Sequence, residues 1–343
     1  MKIILDAMGG DNAPEAVVLG ALDAAKDFNT EIILVGRGED ILDAMKKNGV
    51  SDLPAGVAIA HADDVVDMHD DPAAVLHKRK NSSMVVGLKM LAEGQGDAFV
   101  SAGSTGALLT AATLVVKRVK GIRRAAMAPA FPNKTGGKTI ICDCGANAEC
   151  TPEFLLQFAI VGSLHAKKTL GIANPRVGLL NIGTEDSKGT KLQLETYPLL
   201  TDAHEKGLIN FIGNVEARQV PMGEVDVVVC DGFSGNVMLK TIEGTAMFLG
   251  SKISAMFKKN LLSKLAAALV MKDIKAFKKL LDYREIGGTQ FVGIKKPVIK
   301  AHGSSDARAF YNAVRQAVDA ANNNTAEELE AALKQISAAK EKV

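Results

Sequence analysis

Six times in this chain a short apolar run stops at a turn built from Gly, Asn, Asp, Ser or Thr. In the first, Ile3, Ile4 and Leu5 run into Asp6, Gly9, Gly10, Asp11 and Asn12. The others are AFVSAGSTGALL (98–109), IICDCGANAE (140–149), VGLLNIGTEDSKG (177–189), VVVCDGFSGN (227–236) and VIKAHGSSDAR (298–308). Runs that are apolar throughout predict strands covered by helices on both faces, which confines the chain to an α/β fold. In open parallel sheets, ligands bind outside the carboxyl ends of the strands, where such turns gather. Several of the turns also lead into helical patterns, whose free N–H groups and positive dipole end favour an anion. Six of them point to an enzyme that handles an anionic or oxygen-rich substrate.

The rest of the chain alternates accordingly. Strands are predicted at 2–5, 31–35, 57–60, 97–101, 125–130, 138–142, 176–180, 208–212, 225–229 and 296–300. Helices are predicted between them, the longest at 234–258 and 261–281. The expected architecture is a doubly wound, mostly parallel sheet in one α/β unit spanning 1–343. Two lobes are expected, 1–120 plus 290–343 and 121–289, the second carrying a protruding helical pair at 242–284.

Several function classes fall away. Lys+Arg 41 against Asp+Glu 39 gives a net charge of +2, and 3 Tyr with no Trp offer no base-stacking surface; no nucleic acid is expected. The uncharged stretch 98–116 is long enough to span a bilayer, but Ser101, Gly103, Ser104, Thr105 and Gly106 within it read as strand, turn and helix. The start has too few apolar residues for a signal peptide, so a cytoplasmic protein is expected. Gly137-Lys138-Thr139 lacks the first glycine of a P-loop and precedes a strand, and Gly36-Arg37-Gly38 has Ile41 where a dinucleotide fingerprint needs glycine. Cys142, Cys144 and Cys150 have no second pair and no nearby His, so they read, like Cys230, as buried thiols, and neither metal nor cofactor is expected.

The turn Lys300-Ala301-His302-Gly303-Ser304-Ser305-Asp306-Ala307-Arg308 gathers an imidazole, two hydroxyls, a carboxylate and two cations at a helix start. That set suits a phosphate or a developing oxyanion; helix capping by a serine and a loop histidine is the plainer reading. Asn181, Thr184 and Lys188 form a second rich turn, with a solvated loop as the alternative. Ser104 and Thr105 are either anion donors or plain caps. Lys258 and Lys264 flank Leu261, Leu265 and Leu269, which follow helical spacing. This segment is either a helical pair packed on the body or a partner copy, or a basic amphipathic surface for anionic lipid or an acidic protein.

Taken together, the turns resemble one family, the phosphate acyltransferases of bacterial phospholipid synthesis (the PlsX type). DAMGGDNAP (6–14), SAGSTGA (101–107), DCGAN (143–147), LLNIGTED-KG (179–189), GNVEAR (213–218), CDGFSGNVMLKTIEG (230–244) and IKAHGSSDA (299–307) carry the likeness through nearly the whole chain. The sequence departs from the family's usual pattern at Gly287-Gly288-Thr289-Gln290-Phe291. The resemblance implies an isocitrate/isopropylmalate-dehydrogenase-like fold related to phosphotransacetylases, and a homodimer. The implied reaction is acyl-carrier protein thioester plus phosphate giving acyl phosphate and free carrier. It further implies peripheral contact with the inner face of an anionic membrane, and delivery of product to a membrane acyl-phosphate:glycerol-3-phosphate acyltransferase.

Residue roles expected on this basis are Lys188, Ser304, Ser305 and Arg218 for phosphate, with Ser104, Thr105 and Thr184 as further substrate donors. Asn147, Asn181 and Asn236 are expected to polarise the substrate. His302 is expected to protonate the thiolate or to position phosphate, oriented by Asp306 or Asp231. A transferase acting on acyl-coenzyme A and a lipid-binding scaffold remain alternatives.

Overall fold

A computed structural model describes residues 1–280, 282–323 and 325–340. The strands are β1 Lys2–Asp6, β2 Glu31–Gly36, β3 Val57–His61, β4 Ala98–Ser101, β5 Ala126–Met127 and β6 Ala130–Pro132. They continue with β7 Lys138–Cys142, β8 Arg176–Asn181, β9 Asn210–Glu216, β10 Val227–Val229, β11 Gly288–Val292 and β12 Val298–Ala301. They form two sheets, one ordered β3-β2-β1-β4-β12-β11-β5 and the other β6-β7-β10-β8-β9. Pairing is parallel except where β11 meets β12 and β5, and where β6 meets β7.

The expected strand at 125–130 is split, which is how one predicted sheet becomes two. Pro129 cannot donate to a ladder, so β5 ends after two residues and the chain re-enters pairing as β6 beside β7. β11 was absent from the expected strands, because Gly287-Gly288-Thr289-Gln290 gives no apolar run. The predicted helix at 104–117 is α-helical over Thr105–Ala111 and closes in a π-helical turn at Ala112–Val116. The predicted helix at 261–281 is two, Leu261–Leu269 and Met271–Leu280, broken at Val270; Leu281 lies outside the described residues.

The apolar strands are buried on both faces. Ile3, Leu5, Ile32 and Leu34 enter one core cluster while Ile4, Ile33 and Val35 enter another. In the second sheet Val227 and Val229 face one cluster and Val228 the other. Alternate residues of a strand point to opposite faces, so a continuous apolar run is needed where helices cover both. The helix Ala307–Asn322 covers the first sheet beside Glu15–Phe28, whereas Leu329 and Leu333 of the last helix, Thr325–Lys340, pack in the cluster of Pro152–Leu170. No helix of the described residues is long and apolar enough to cross a membrane.

Candidate active site

β1, β4 and β12 are neighbours and run parallel, so the turns at their carboxyl ends converge. The Asp11 N–H donates to the Gly303 carbonyl at 2.8 Å, and Asn12 Nδ2 donates to the carbonyls of Ser304 and Ser305, each at 3.2 Å. Gly10 sits at φ +104°, and a Cβ there would stand 2.9 Å from the Ala102 Cβ and 3.1 Å from the Gly303 oxygen, so glycine alone lets the three turns meet. Beneath them Asp6 is buried and accepts from Ser83 Oγ at 2.5 Å and Ser101 Oγ at 2.7 Å. Burial raises its pKa, against the opposing effect of these hydroxyl donors. Asp6 therefore organises the first turn from below.

The second sheet contributes the loop after β7. Asp143 accepts from the Met127, Cys144 and Asn147 N–H groups at 2.8, 2.7 and 2.6 Å, and from Asn147 Nδ2 at 3.0 Å. Gly235, in the first turn of the helix Gly232–Lys258, comes so close to the Asp143 carbonyl that a Cβ would stand 2.1 Å from it. That contact fixes the start of the long helix against the loop.

Between these elements lies a cavity of about 470 Å³. Of the residues expected at the site, Thr105, Asn236, His302 and Ser304 line it, joined by Asp11, Lys240, Glu243 and Lys300. The His302 ring is held by Ser304. The Ser304 N–H donates to Nδ1 at 3.3 Å and Ser304 Oγ lies 2.9 Å from the same nitrogen. A backbone N–H can only donate, so Nδ1 accepts and the neutral ring carries its proton on Nε2. Burial lowers the His302 pKa, with Lys240 and Lys300 pushing the same way, so the ring is neutral at pH 7.

Lys300 was counted among the cations of its turn but was given no individual role. Its Nζ donates to the carbonyls of Ala102, at 3.3 Å, and Ala301. An ammonium has three donors, so one remains for the cavity. Burial pulls its pKa down to about 8, against the attraction of Asp11 and Asp6.

The other expected residues have different surroundings. Asp306 caps the helix Ala307–Asn322 by accepting from the Ala309 N–H at 3.0 Å, and pairs with Arg284 at 3.2 Å. Asp231 caps Gly232–Lys258 by accepting from the Ser234 N–H and Oγ, both at 2.8 Å. Ring orientation thus falls to Ser304, where Asp306 or Asp231 was expected. The Asn147 amide braces Asp143 and the Ala125 carbonyl, at 2.9 Å. Ser104 stands at the N-cap of Thr105–Ala111 without a side-chain capping bond, and Ser305 is buried with its hydroxyl unpaired among the described residues.

Asn181 ends β8, Thr184 and Lys188 follow it, Arg218 follows β9, and none of the four lines this cavity. Asn181 Nδ2 donates to the Lys188 carbonyl at 3.0 Å, and Arg218 pairs with Glu216 at 2.7 Å. Burial pushes the Cys144 and Cys150 thiols up to about 12 and Cys142 and Cys230 well above the ordinary range, so no activated thiolate is present among them. Among the described residues no group of three His, Cys, Asp or Glu could hold a metal.

A family model described as fatty acid synthesis protein matches residues 1–328. A phosphate acyltransferase of Bacillus licheniformis is 44% identical over 336 residues, covering 98% of this chain and 99% of that relative. The chain belongs to the phosphate acyltransferase family and is an acyltransferase. A further phosphate acyltransferase, of Thermoanaerobacterium thermosaccharolyticum, is 46% identical over 317 residues, 92% of each chain. The fold is shared with a Streptococcus pyogenes phosphotransacetylase at TM-score 0.63, with 20% identity over 96% of this chain and 94% of that one. It is also shared with a Klebsiella pneumoniae 4-hydroxythreonine-4-phosphate dehydrogenase at TM-score 0.52, with 11% identity over 94% and 98%. These likenesses bear out the expected family and its α/β fold.

Proposed function

We propose that this acyltransferase moves an acyl group from an acyl-carrier protein thioester to inorganic phosphate, releasing acyl phosphate and free carrier for phospholipid synthesis. The observation that carries the reading is Lys300, a half-buried cation sharing one cavity with the neutral ring of His302, in a chain whose relatives are phosphate acyltransferases. Inorganic phosphate is already partly dianionic near pH 7, so part of the nucleophile needs no base to deprotonate it. A thiol pKa of about 8.5 lets the carrier sulfur leave as thiolate. Neither partner needs a strong base, and the chemistry reduces to alignment and charge stabilisation.

In this reading phosphate sits against Thr105, Ser304 and the third Lys300 N–H. A phosphate oxygen attacks the thioester carbonyl carbon. The Nε2–H of His302 and the amide of Asn236 donate to the oxyanion, each such donor stabilising it by roughly 2.7–4 kcal/mol. Collapse breaks the carbon–sulfur bond, and the thiolate takes its proton from Lys300, whose pKa near 8 is matched to the thiol. Asn147, Asp231 and Asp306 hold the loops that carry these groups.

The exposed Leu261, Leu265 and Leu269, 74%, 58% and 89% accessible, with Lys258 and Lys264 beside them, support peripheral docking on an anionic membrane, where a membrane acyltransferase would collect the product. A homodimer is part of this proposal. The test of the reaction is incubation with palmitoyl-carrier protein, with and without phosphate, following free carrier thiol and acyl phosphate together. Phosphate-dependent appearance of both supports the reading; release from short acyl-coenzyme A alone would replace it with the coenzyme A reaction.

A further inference from the structure

Gly137-Lys138-Thr139 is no P-loop, yet its lysine has a place in the fold that the acyl-transfer site does not use. Lys138 opens β7 and lines a separate cavity of about 360 Å³. Gly288 and Thr289 line this cavity as well as the 470 Å³ one, so the start of β11 stands between them. Neither Lys300 nor His302 lines it. A volume near the lower end for small-molecule pockets suits a compact ligand. The charges come from both sheets. Lys138 belongs to the second, and Arg315 to the helix Ala307–Asn322 that covers the first. Arg315 donates to the Glu285 carbonyl at 3.1 Å, which leaves further N–H groups of its guanidinium. Neither cation is paired with a carboxylate among the described residues. Desolvation, and then repulsion from Arg315, lower the Lys138 pKa, so the two cations face one another without a counter-ion. Lys168, also on the wall, is already engaged by Glu328 at 2.6 Å. Asp319 is the one carboxylate among the described lining residues.

His165, in the helix Pro152–Leu170, lines the same cavity at 8% accessibility, and its ring has no hydrogen-bond partner among the described residues. Burial pulls its pKa down to about 4, so at pH 7 the ring is neutral, with one N–H to give and one nitrogen to accept. Buried polar groups are normally paired, which leaves the ring a partner to find in the cavity. We propose that this cavity binds a small phosphorylated polyol, its phosphate between Lys138 and Arg315 and its hydroxyls on His165 and Asp319. A phosphate group offers three acceptor oxygens, enough for both cations, and the guanidinium fork matches its geometry. A carboxylate only accepts, so the part of the ligand beside Asp319 must donate, as hydroxyls do. The direction follows from the helix. Its carbonyl end, at Asn322, disfavours an anion and lies about 10 Å along the axis from Arg315, so the phosphate takes the Arg315 end. The walls belong to both sheets, so the ligand ties them together.

The probe is glycerol-3-phosphate, with sulfate as the bare anion and glycerol as the bare polyol. Each is titrated by calorimetry into wild type, K138M, K138R and K300M. Lys138 is exposed and does not line the cavity of His302, so K138M is expected to fold and to keep its thiol release. Wild type and K300M are expected to bind glycerol-3-phosphate alike, and K138M at least about tenfold more weakly. K138R is expected to recover most of the affinity, which a merely structural loss would not allow. The probe is expected to raise the melting temperature of wild type and not that of K138M. Sulfate and glycerol are each expected to bind at least about tenfold more weakly than the ester, since each makes only part of the contacts.

Binding that K300M abolishes and K138M leaves intact would put the probe in the cavity of His302 and overturn the assignment. Sulfate bound as tightly as the ester would overturn the polyol and leave a bare-anion site. No binding by wild type at millimolar probe would remove the site altogether. Thiol release has no part in these measurements, so failure of the acyl-transfer reading would leave their outcome unchanged.

Discussion

Asn12 donates from its side-chain amide to the Ser304 carbonyl at 3.2 Å, joining the first turn of the chain to the last across nearly its whole length. The same amide reaches the Ser305 carbonyl at 3.2 Å, and the neighbouring Asp11 N–H holds Gly303 at 2.8 Å. The turn that carries His302 is thus fixed from outside its own strand. Replacing Asn12 by Ala removes two exposed or half-exposed hydrogen bonds, a stability loss of about 1–2 kcal/mol. Turnover is expected to fall further than that loss of fold explains, because His302 and Ser304 loosen. Asn12→Asp is expected to be worse than Ala, since a carboxylate would face two carbonyl oxygens. Thermal unfolding and kcat/KM on the three proteins check this; equal activity in all three would remove the clasp from the mechanism.

Lys300 sets an alkaline limit. Its pKa is lowered, so the cation is the form lost as pH rises through about 8, and a step that needs the cation fails above that point. Activity is expected to rise as inorganic phosphate becomes dianionic around neutral pH and to fall above about pH 8. Lys300→Arg keeps its charge to high pH and is expected to lose the alkaline limb while retaining part of the rate. Lys300→Met is expected to lose at least a hundredfold, about 2.7 kcal/mol of transition-state stabilisation. A wild-type profile flat from pH 7 to about 10, well past that pKa, would sink the role given to Lys300.

His302 and Lys188 separate two pictures of the site. Neutral His302 acts as an Nε2–H donor, so His302→Gln, which can offer an amide N–H, is expected to stay within about tenfold of wild type. His302→Ala is expected to lose about 10²–10³ in kcat. Lys188 is exposed and does not line the cavity, so Lys188→Ala is expected to cost less than about threefold, the scale of an exposed charge. Steady-state kinetics on phosphate decide between them. A loss above tenfold at Lys188 would mean that the two sheets close to bring the loop after β8 into the reaction.

The carboxyl-end turns were legible because each follows an apolar strand, a signal local to ten residues. Which turns meet was not, since strand order brings β1, β4 and β12 together from opposite ends of the chain. Lys300 escaped for the same reason: its value comes from burial between Ala102 and its own turn, which no window around residue 300 contains. Asp306 and Asp231 carry the right chemistry for orienting an imidazole, but both stand one residue before a helix, where a carboxylate caps free N–H groups first. The second sheet was hidden in Pro129, whose missing N–H divides one apolar run into two edge strands.

Leu265 and Leu269 lie on Leu261–Leu269 facing away from Ala267, which is buried at 8% accessibility while they stand at 58% and 89%. Burying two leucines in an interface contributes about 1.5–3 kcal/mol each at full burial, and nearby Lys258 and Lys264 add roughly 1 kcal/mol each near an anionic surface. Changing both leucines to Glu is therefore expected to weaken sedimentation with anionic vesicles at least a hundredfold and to spare the solution activity, since neither residue lines the cavity that holds His302. Neutral vesicles are expected to bind wild type less well, and raised salt to weaken the anionic case, because the charge contribution is screened over about 10 Å at 0.1 M. A folded, active double variant that still sediments with anionic vesicles would remove the membrane from this surface and leave a partner copy as its occupant.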